Sequence, residues 1–232
     1  MCWSATADLV AGVGIAAVGA ATVICAARRP GDLPMAALPL LLGAHQVVEA
    51  AVWHNGGGTG PATLLWAVIA LPLLALWVPV AVLCAAPRHA RRRLVIPLAA
   101  GVATSAALAY ALAARTVTAE IRGHTVGYSL GLPGAEVIVL GYLLATIGSL
   151  LMSGDRGLVL FGVLVGAGAA VSFALWRQES ISTWCAVAAL SSAVLLLWVG
   201  RRRPGTEVGV SGPGGYGSGR ERSPGRSDGR TG

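Results

Sequence analysis

Residues 33–55 read "LPMAALPLLLGAHQVVEAAVWHN", an apolar run whose second half carries a histidine, a glutamine and a glutamate. The run is long enough to cross a bilayer as a helix, which takes about 20 residues. On a helical wheel His45, Gln46, Glu49 and Trp53 fall at relative angles of roughly 0°, 100°, 40° and 80°, so all four share one face. Val47, Val48, Ala51 and Val52 take the rest. His45 and Glu49 stand one turn apart and can share a proton. A carboxylate in hydrocarbon is costly unless paired, protonated or wet, so this face must point into a bundle. Two readings stay open: a functional site, or a structural clamp in which protonated Glu49 bonds neighbouring helices. Pro39, upstream, is expected to bend the helix and free carbonyls that need partners.

Outward from this stretch, comparable runs recur near 5–27, 61–86, 94–114, 135–152, 157–176 and 181–199, with the second span itself near 33–53. The fold expected is an all-α integral membrane protein, a bundle of seven transmembrane helices spanning residues 1–200. Composition agrees. Only 12% of the 232 residues are charged, against about a quarter in a soluble domain. All 17 basic residues are Arg. The lack of Lys excludes a retinal or pyridoxal Schiff base and a phosphate-loop lysine. Ten of these Arg (Arg28, Arg29, Arg88, Arg91, Arg92, Arg93, Arg156 and Arg201 to Arg203) fall on one side of the seven spans, against Arg115, Arg122 and Arg177 on the other. The imbalance places the N-terminus outside and the C-terminus in the cytoplasm of a cell-membrane protein. So distributed, the net charge of +7 orients the chain in a bilayer and calls for no nucleic acid. The first run has no basic stretch before it and an Arg pair after it, so it is expected to stay as a membrane helix. Residues 201–232 are rich in Gly, Arg and Ser and are expected to form a disordered cytoplasmic tail.

Orientation gathers most unusual polar residues on one external rim. Ser4 and Asp8 sit at the mouth of the first span, Glu49 and Trp53 at the end of the second, Glu136 at the start of the fifth, and Trp184 and Cys185 at the start of the seventh. His124 lies in the long loop "RTVTAEIRGHTVGYSLGLPG", whose alternation fits a small β-hairpin on the outer face. Helix mouths also carry polar residues and Trp simply as interface anchors. Ser4 can serve as a helix cap or a nucleophile, and the cap is the better reading. Cys2 and Cys185 face the oxidising side at similar heights and are expected to form a disulfide. Cys25 and Cys84 read as small buried hydrophobes. Gly162 and Gly166 form a G-x-x-x-G pair suited to internal helix packing. His45 and Glu49 alone fall short of a metal shell, so no metal or other cofactor is expected. "GYSLG" at Ser129 lacks the sheet that a nucleophile elbow needs. "HNGGGTG" at 54–60 reads as a flexible turn.

"MCWSATA" at the start, Gln46, Glu49 and Trp53 in "HQVVEAAVW", and "TWCAVAA" at 183–189 together resemble an uncharacterised bacterial, largely actinobacterial, family of multi-pass membrane proteins. Its members typically open Met-Cys-aromatic-Ser-Ala-Thr-Ala. Trp3 stands where Phe is usual, and Ala50 where Gly often follows the Glu. The resemblance implies no activity, substrate or cofactor. Three functions follow as expectations. One is an external polar pocket (His45, Gln46, Glu49, Trp53, Ser4, Trp184) that binds a lipid or small ligand. Another is a proton-coupled carrier of small solutes in which Glu49 titrates. The last is an intramembrane hydrolase that resembles the seven-helix ceramidases in span number and orientation. Those enzymes use several bundle His, whereas only His45 lies deep here.

Overall fold

The computed structural model describes residues 4–175 and 180–202. Within them the chain forms seven helices and one β-hairpin. Helix α1 is Ala5–Ala26, α2 Pro30–His54, α3 Pro61–Ala85, α4 Arg88–Ala114 and α5 Ala135–Leu151. Helix α6 is Arg156–Leu175, and α7 runs as Ser180–Ser191 and then Val194–Arg201. Strands β1 (Thr118–Arg122) and β2 (Thr125–Ser129) join α4 to α5 as the hairpin that the alternation suggested.

Five helices, α1 to α4 and α6, are long and apolar enough to cross a membrane. The other two fall short of the expected length. At about 1.5 Å per residue α5 covers about 26 Å, against ~30 Å of hydrocarbon. Helix α7 breaks at Ser192, whose hydroxyl donates to the Ala189 carbonyl at 2.6 Å and so offers that backbone an alternative to the helical ladder. All seven helices nevertheless expose large apolar side chains, among them Val10, Val47, Leu65, Ile96, Leu140, Val163 and Leu197. A water-soluble domain would bury such surface.

Successive helices pack side by side, and α7 closes the ring on α1. The tightest seam joins α1 to α2. The buried side of α1 is Asp8, Gly12, Ile15, Gly19, Thr22 and Ala26, spaced alternately four and three residues apart. An added Cβ at Gly12 would lie 2.9 Å from the Gly43 carbonyl oxygen, and one at Gly43 only 2.6 Å from the Ala16 nitrogen. These glycines let two backbones touch, as small residues do between helices in lipid. The α1–α2 pairing sets Gly12 against Val47, Ala16 against Gly43 and Gly19 against Leu40. One further turn brings Asp8 level with the stretch around Glu49.

Helix α2 is interrupted at Ala37, just before Pro39. The Trp77 indole donates to the Pro34 carbonyl at 3.0 Å and so satisfies a carbonyl at that break. In α3, Pro72 sits in a π-turn, Ile69–Leu73, and the Tyr142 hydroxyl of α5 donates to the Ala70 carbonyl there. Gly162 and Gly166 face Leu150 and Ile147 of α5, so the G-x-x-x-G pair serves internal packing. Cys25 is half-buried, and Cys84 is exposed rather than a core residue, because its side of α3 faces away from the bundle.

Candidate functional site

The two ends of the bundle hold polar residues in different ways. At one end the α1–α2 connection, the α5–α6 connection and the end of α7 meet in an ionic clasp. Arg202 donates to Asp32 at 2.9 Å and to Asp155 at 2.7 Å, and also to the Ala85 carbonyl at 3.2 Å. Its guanidinium lies 4.6 Å from the centre of the Trp198 ring, a cation–π contact. The Trp198 indole in turn donates to Asp155 at 2.9 Å. Asp155 also accepts from the backbone N–H groups of Gly157 and Leu158, capping α6. Arg29 pairs with Asp32 at 3.4 Å and donates to the Val199 carbonyl. Burial alone would raise the Asp155 carboxyl. The hydrogen bonds and charge of Arg202, with the two backbone donors, outweigh burial and hold it below the ordinary aspartate value.

The opposite end carries the hairpin. Gly56, Gly57 and Gly58 all adopt positive φ, from 72° to 82°, which is accessible to glycine at no steric cost. Gly58 exchanges two backbone hydrogen bonds with Ala119, at 2.8 and 3.0 Å. The stretch read as a flexible turn is therefore an ordered one that pins the hairpin to α2 and α3. Ala119, Val126, Val117 and Tyr128 pack down onto Val52, Trp66 and Trp53.

Beneath this cap lies the candidate site. Asp8, His45 and Glu49 have no exposed surface, and Gln46 has 1%. Helix α2 supplies His45, Gln46 and Glu49 from one face, and the glycine seam carries Asp8 to the same place. Asp8 lies close enough to Glu49 for their charges to repel, and the Trp53 indole stands beside the Asp8 carboxyl without completing a hydrogen bond to it. The His45 ring lies 5.0 Å from Trp66, which stacks flat on Tyr128 at 3.4 Å. Both Asp8 oxygens, both His45 nitrogens, Gln46 Nε2, Trp53 Nε1 and Trp66 Nε1 have no hydrogen-bond partner among the described residues. Buried polar atoms are nearly always bonded, so such a concentration is unusual.

The residues expected at the external rim divide. His45, Gln46, Glu49 and Trp53 come together. Ser4 caps α1, its hydroxyl accepting from the Ala7 N–H at 3.2 Å. Trp184 is buried deeper, donating to the Val165 carbonyl at 3.1 Å and meeting Tyr142 edge-on at 5.6 Å. There it lines an apolar cavity of about 50 Å³ with Leu38, Leu42, Leu74, Phe161 and Ala188. His124 is exposed at the hairpin turn, and Glu136 is exposed in the first turn of α5. Ser129 is exposed at the open end of the hairpin opposite Thr118. The expected Cys2–Cys185 bridge lies outside the described residues, as does the expected tail beyond Arg202; its first two residues are ordered instead, Arg201 ending α7 and Arg202 sitting in the clasp. Among the described residues no group of three His, Cys, Asp or Glu is placed to hold a metal ion.

A family model described as "Family of unknown function (DUF6629)" matches residues 1–209. The chain belongs to this family. The DUF6629 match takes in all seven helices and the hairpin, hence both the clasp and the polar cluster, and accords with the resemblance to an uncharacterised family. Neither a curated protein nor a solved structure matches the chain.

Sequence reasoning reached the α2 face and put Asp8 on the same rim without pairing it with Glu49, and it missed Trp66 and Tyr128. Asp8 was legible from the spacing 8, 12, 15, 19, 22, 26, a polar and small stripe that can only face a neighbour. Trp66 follows Thr63 and precedes Ala67 and Ala70 on the buried side of α3, a weaker signal. Tyr128 reaches the site only through the hairpin, and nothing local foretells its stack.

Proposed function

We propose that this chain is a multi-pass membrane protein of the cell membrane in which all seven helices cross the bilayer. Its hairpin end faces outward and binds a lipid or small ligand in the polar cluster around Asp8 and Glu49. Apolar side chains exposed on every helix support the seven crossings, and nine Arg at the clasp end among the described residues support the orientation. The observation that carries the binding reading is the set of fully buried polar atoms on Asp8, His45, Gln46 and Trp66 without hydrogen-bond partners among the described residues. A structural clamp would spend these groups on one another. A bound molecule satisfies them instead. Purification of the full chain in lipid nanodiscs, followed by mass spectrometry of retained small molecules, tests this. A compound retained by the wild-type chain and lost from Asp8→Asn supports the reading, whereas identical retention by both contradicts it.

The adjacency of two carboxyls favours a second reading, a proton-coupled carrier. Two acids held together in low dielectric do not both ionise, so the pair would exchange one proton as a substrate passes. In proteoliposomes enclosing a pH-sensitive dye, a proton flux lost in Asp8→Asn and Glu49→Gln would favour the carrier. Equal flux in all three would remove it.

A further inference from the structure

Along α2 the polar cluster and the apolar cavity are successive stations on one buried face. Leu38 and Leu42 line the cavity, and His45, Gln46 and Glu49 begin one turn farther on. The polar atoms around the two stations contrast. In the cavity wall the Tyr142 hydroxyl donates to the Ala70 carbonyl, the Thr146 hydroxyl to the Tyr142 carbonyl and the Trp184 indole to the Val165 carbonyl. Every one of these lining polar groups is satisfied from within, so the cavity offers nothing to a water or a polar guest and stays dry. In the cluster Asp8 makes none of the ion pairs found among the described residues, and its two oxygens complete no hydrogen bond among them, with the Trp53 indole standing beside the carboxyl. The indole ring of Trp53 stands beside Asp8, an aromatic surface of the kind that attracts organic cations.

We propose, resting on the binding reading above, that the ligand is an amphiphile with an ammonium head and an unbranched apolar tail. The head sits between Asp8 and the aromatic side chains beneath the hairpin, and the tail runs along α2 into the cavity between α2, α3, α5, α6 and α7. A space of about 50 Å³ accepts on the order of four methylene-sized groups at ~10–15 Å³ each. Hydrocarbon entering it tightens binding by about fourfold per methylene.

The test uses the full chain in maltoside micelles, with dodecylamine, dodecanol and butylamine as probes and bound fractions read by native mass spectrometry. Dodecylamine and dodecanol both partition into the micelle, so a difference between them reports the head. The proposal expects dodecylamine to bind at least tenfold more tightly than dodecanol. Ala188→Leu, which fills the cavity, should weaken dodecylamine about tenfold or more while leaving butylamine unchanged. Asp8→Asn should weaken both amines. An unchanged thermal midpoint for each variant keeps folding out of the comparison, and Leu42→Phe replaces Ala188→Leu if that variant fails to fold. Equal effects of cavity filling on the long and short amines would overturn the tail assignment while the binding reading stands. Equal binding of dodecylamine and dodecanol would overturn the ammonium head. No amine adduct on the wild-type chain overturns the proposal outright, and loss of the binding reading shows separately, in the nanodisc comparison.

Discussion

The clasp end and the hairpin end bury the same kinds of residue to opposite effect. At the clasp Arg202, Asp32, Asp155 and Trp198 use most of their polar atoms on one another, while Arg29 pairs with Asp32 and donates to the Val199 carbonyl. Under the hairpin Asp8, His45 and Gln46 keep atoms unused at equal or greater burial. A charge taken from water must recover its solvation energy from partners. The clasp does so within the chain and ties the first, middle and last connections together. The polar cluster does not. On the proposed reading, the contrast separates a structural network from a binding site.

The largest effect should come from breaking the clasp. Arg202→Met removes the partner of buried Asp32 and half-buried Asp155 and should cost about 3 kcal/mol of unfolding free energy, since breaking one member of a buried ion pair leaves the others uncompensated. Chemical denaturation in a mild detergent measures it, and a change below about 1 kcal/mol would reduce the clasp to an ordinary surface contact. Next comes the seam between the two regions. Gly43→Val sets a Cβ against the Ala16 backbone, which should cost about 1–3 kcal/mol by overpacking and draw Asp8 away from Glu49. A drop in stability without loss of ligand retention would show that the seam does not position the site.

Acid should weaken the clasp alone. The Asp155 carboxyl is held below its ordinary value, so its contribution is complete above about pH 4, where a free aspartate ionises. That contribution is lost as pH falls through the depressed value. Unfolding midpoints measured from pH 6 downward should therefore decline only below about pH 4, and less so in Asp155→Asn. The smallest effects belong to the exposed pair. His124→Ala and Glu136→Gln should each stay within about 0.5 kcal/mol of wild type and retain the same ligand.

Much of this architecture is legible in the sequence. Apolar runs announce the helices, because hydrocarbon solvent leaves a chain few other structures. The hairpin shows through its period-two alternation. The break in α7 does not show, since "ALSSAVLLL" stays apolar and only the back-bonding Ser192 interrupts it. The π-turn at Pro72 depends on a carbonyl partner from α5 that no local pattern encodes. In the site, helical period alone groups His45, Gln46, Glu49 and Trp53. Asp8 needed the α1 stripe to be matched to α2, and the Trp66–Tyr128 stack needed the hairpin's docking. Arg202 was read only as a charge that orients the chain. Among the described residues Asp32 and Asp155 are the only acids on its side of the bundle, and that scarcity was the available clue to their shared partner.

On the proposed reading, the hairpin-end polar cluster does not hold the fold together. The direct measurement is the unfolding free energy of Asp8→Asn against wild type, both delipidated and in the same detergent. Removing a buried charge whose oxygens have no hydrogen-bond partner among the described residues should leave stability unchanged or raise it by about 1–2 kcal/mol. A loss of more than about 2 kcal/mol would mean that Asp8 is part of a structural clamp after all.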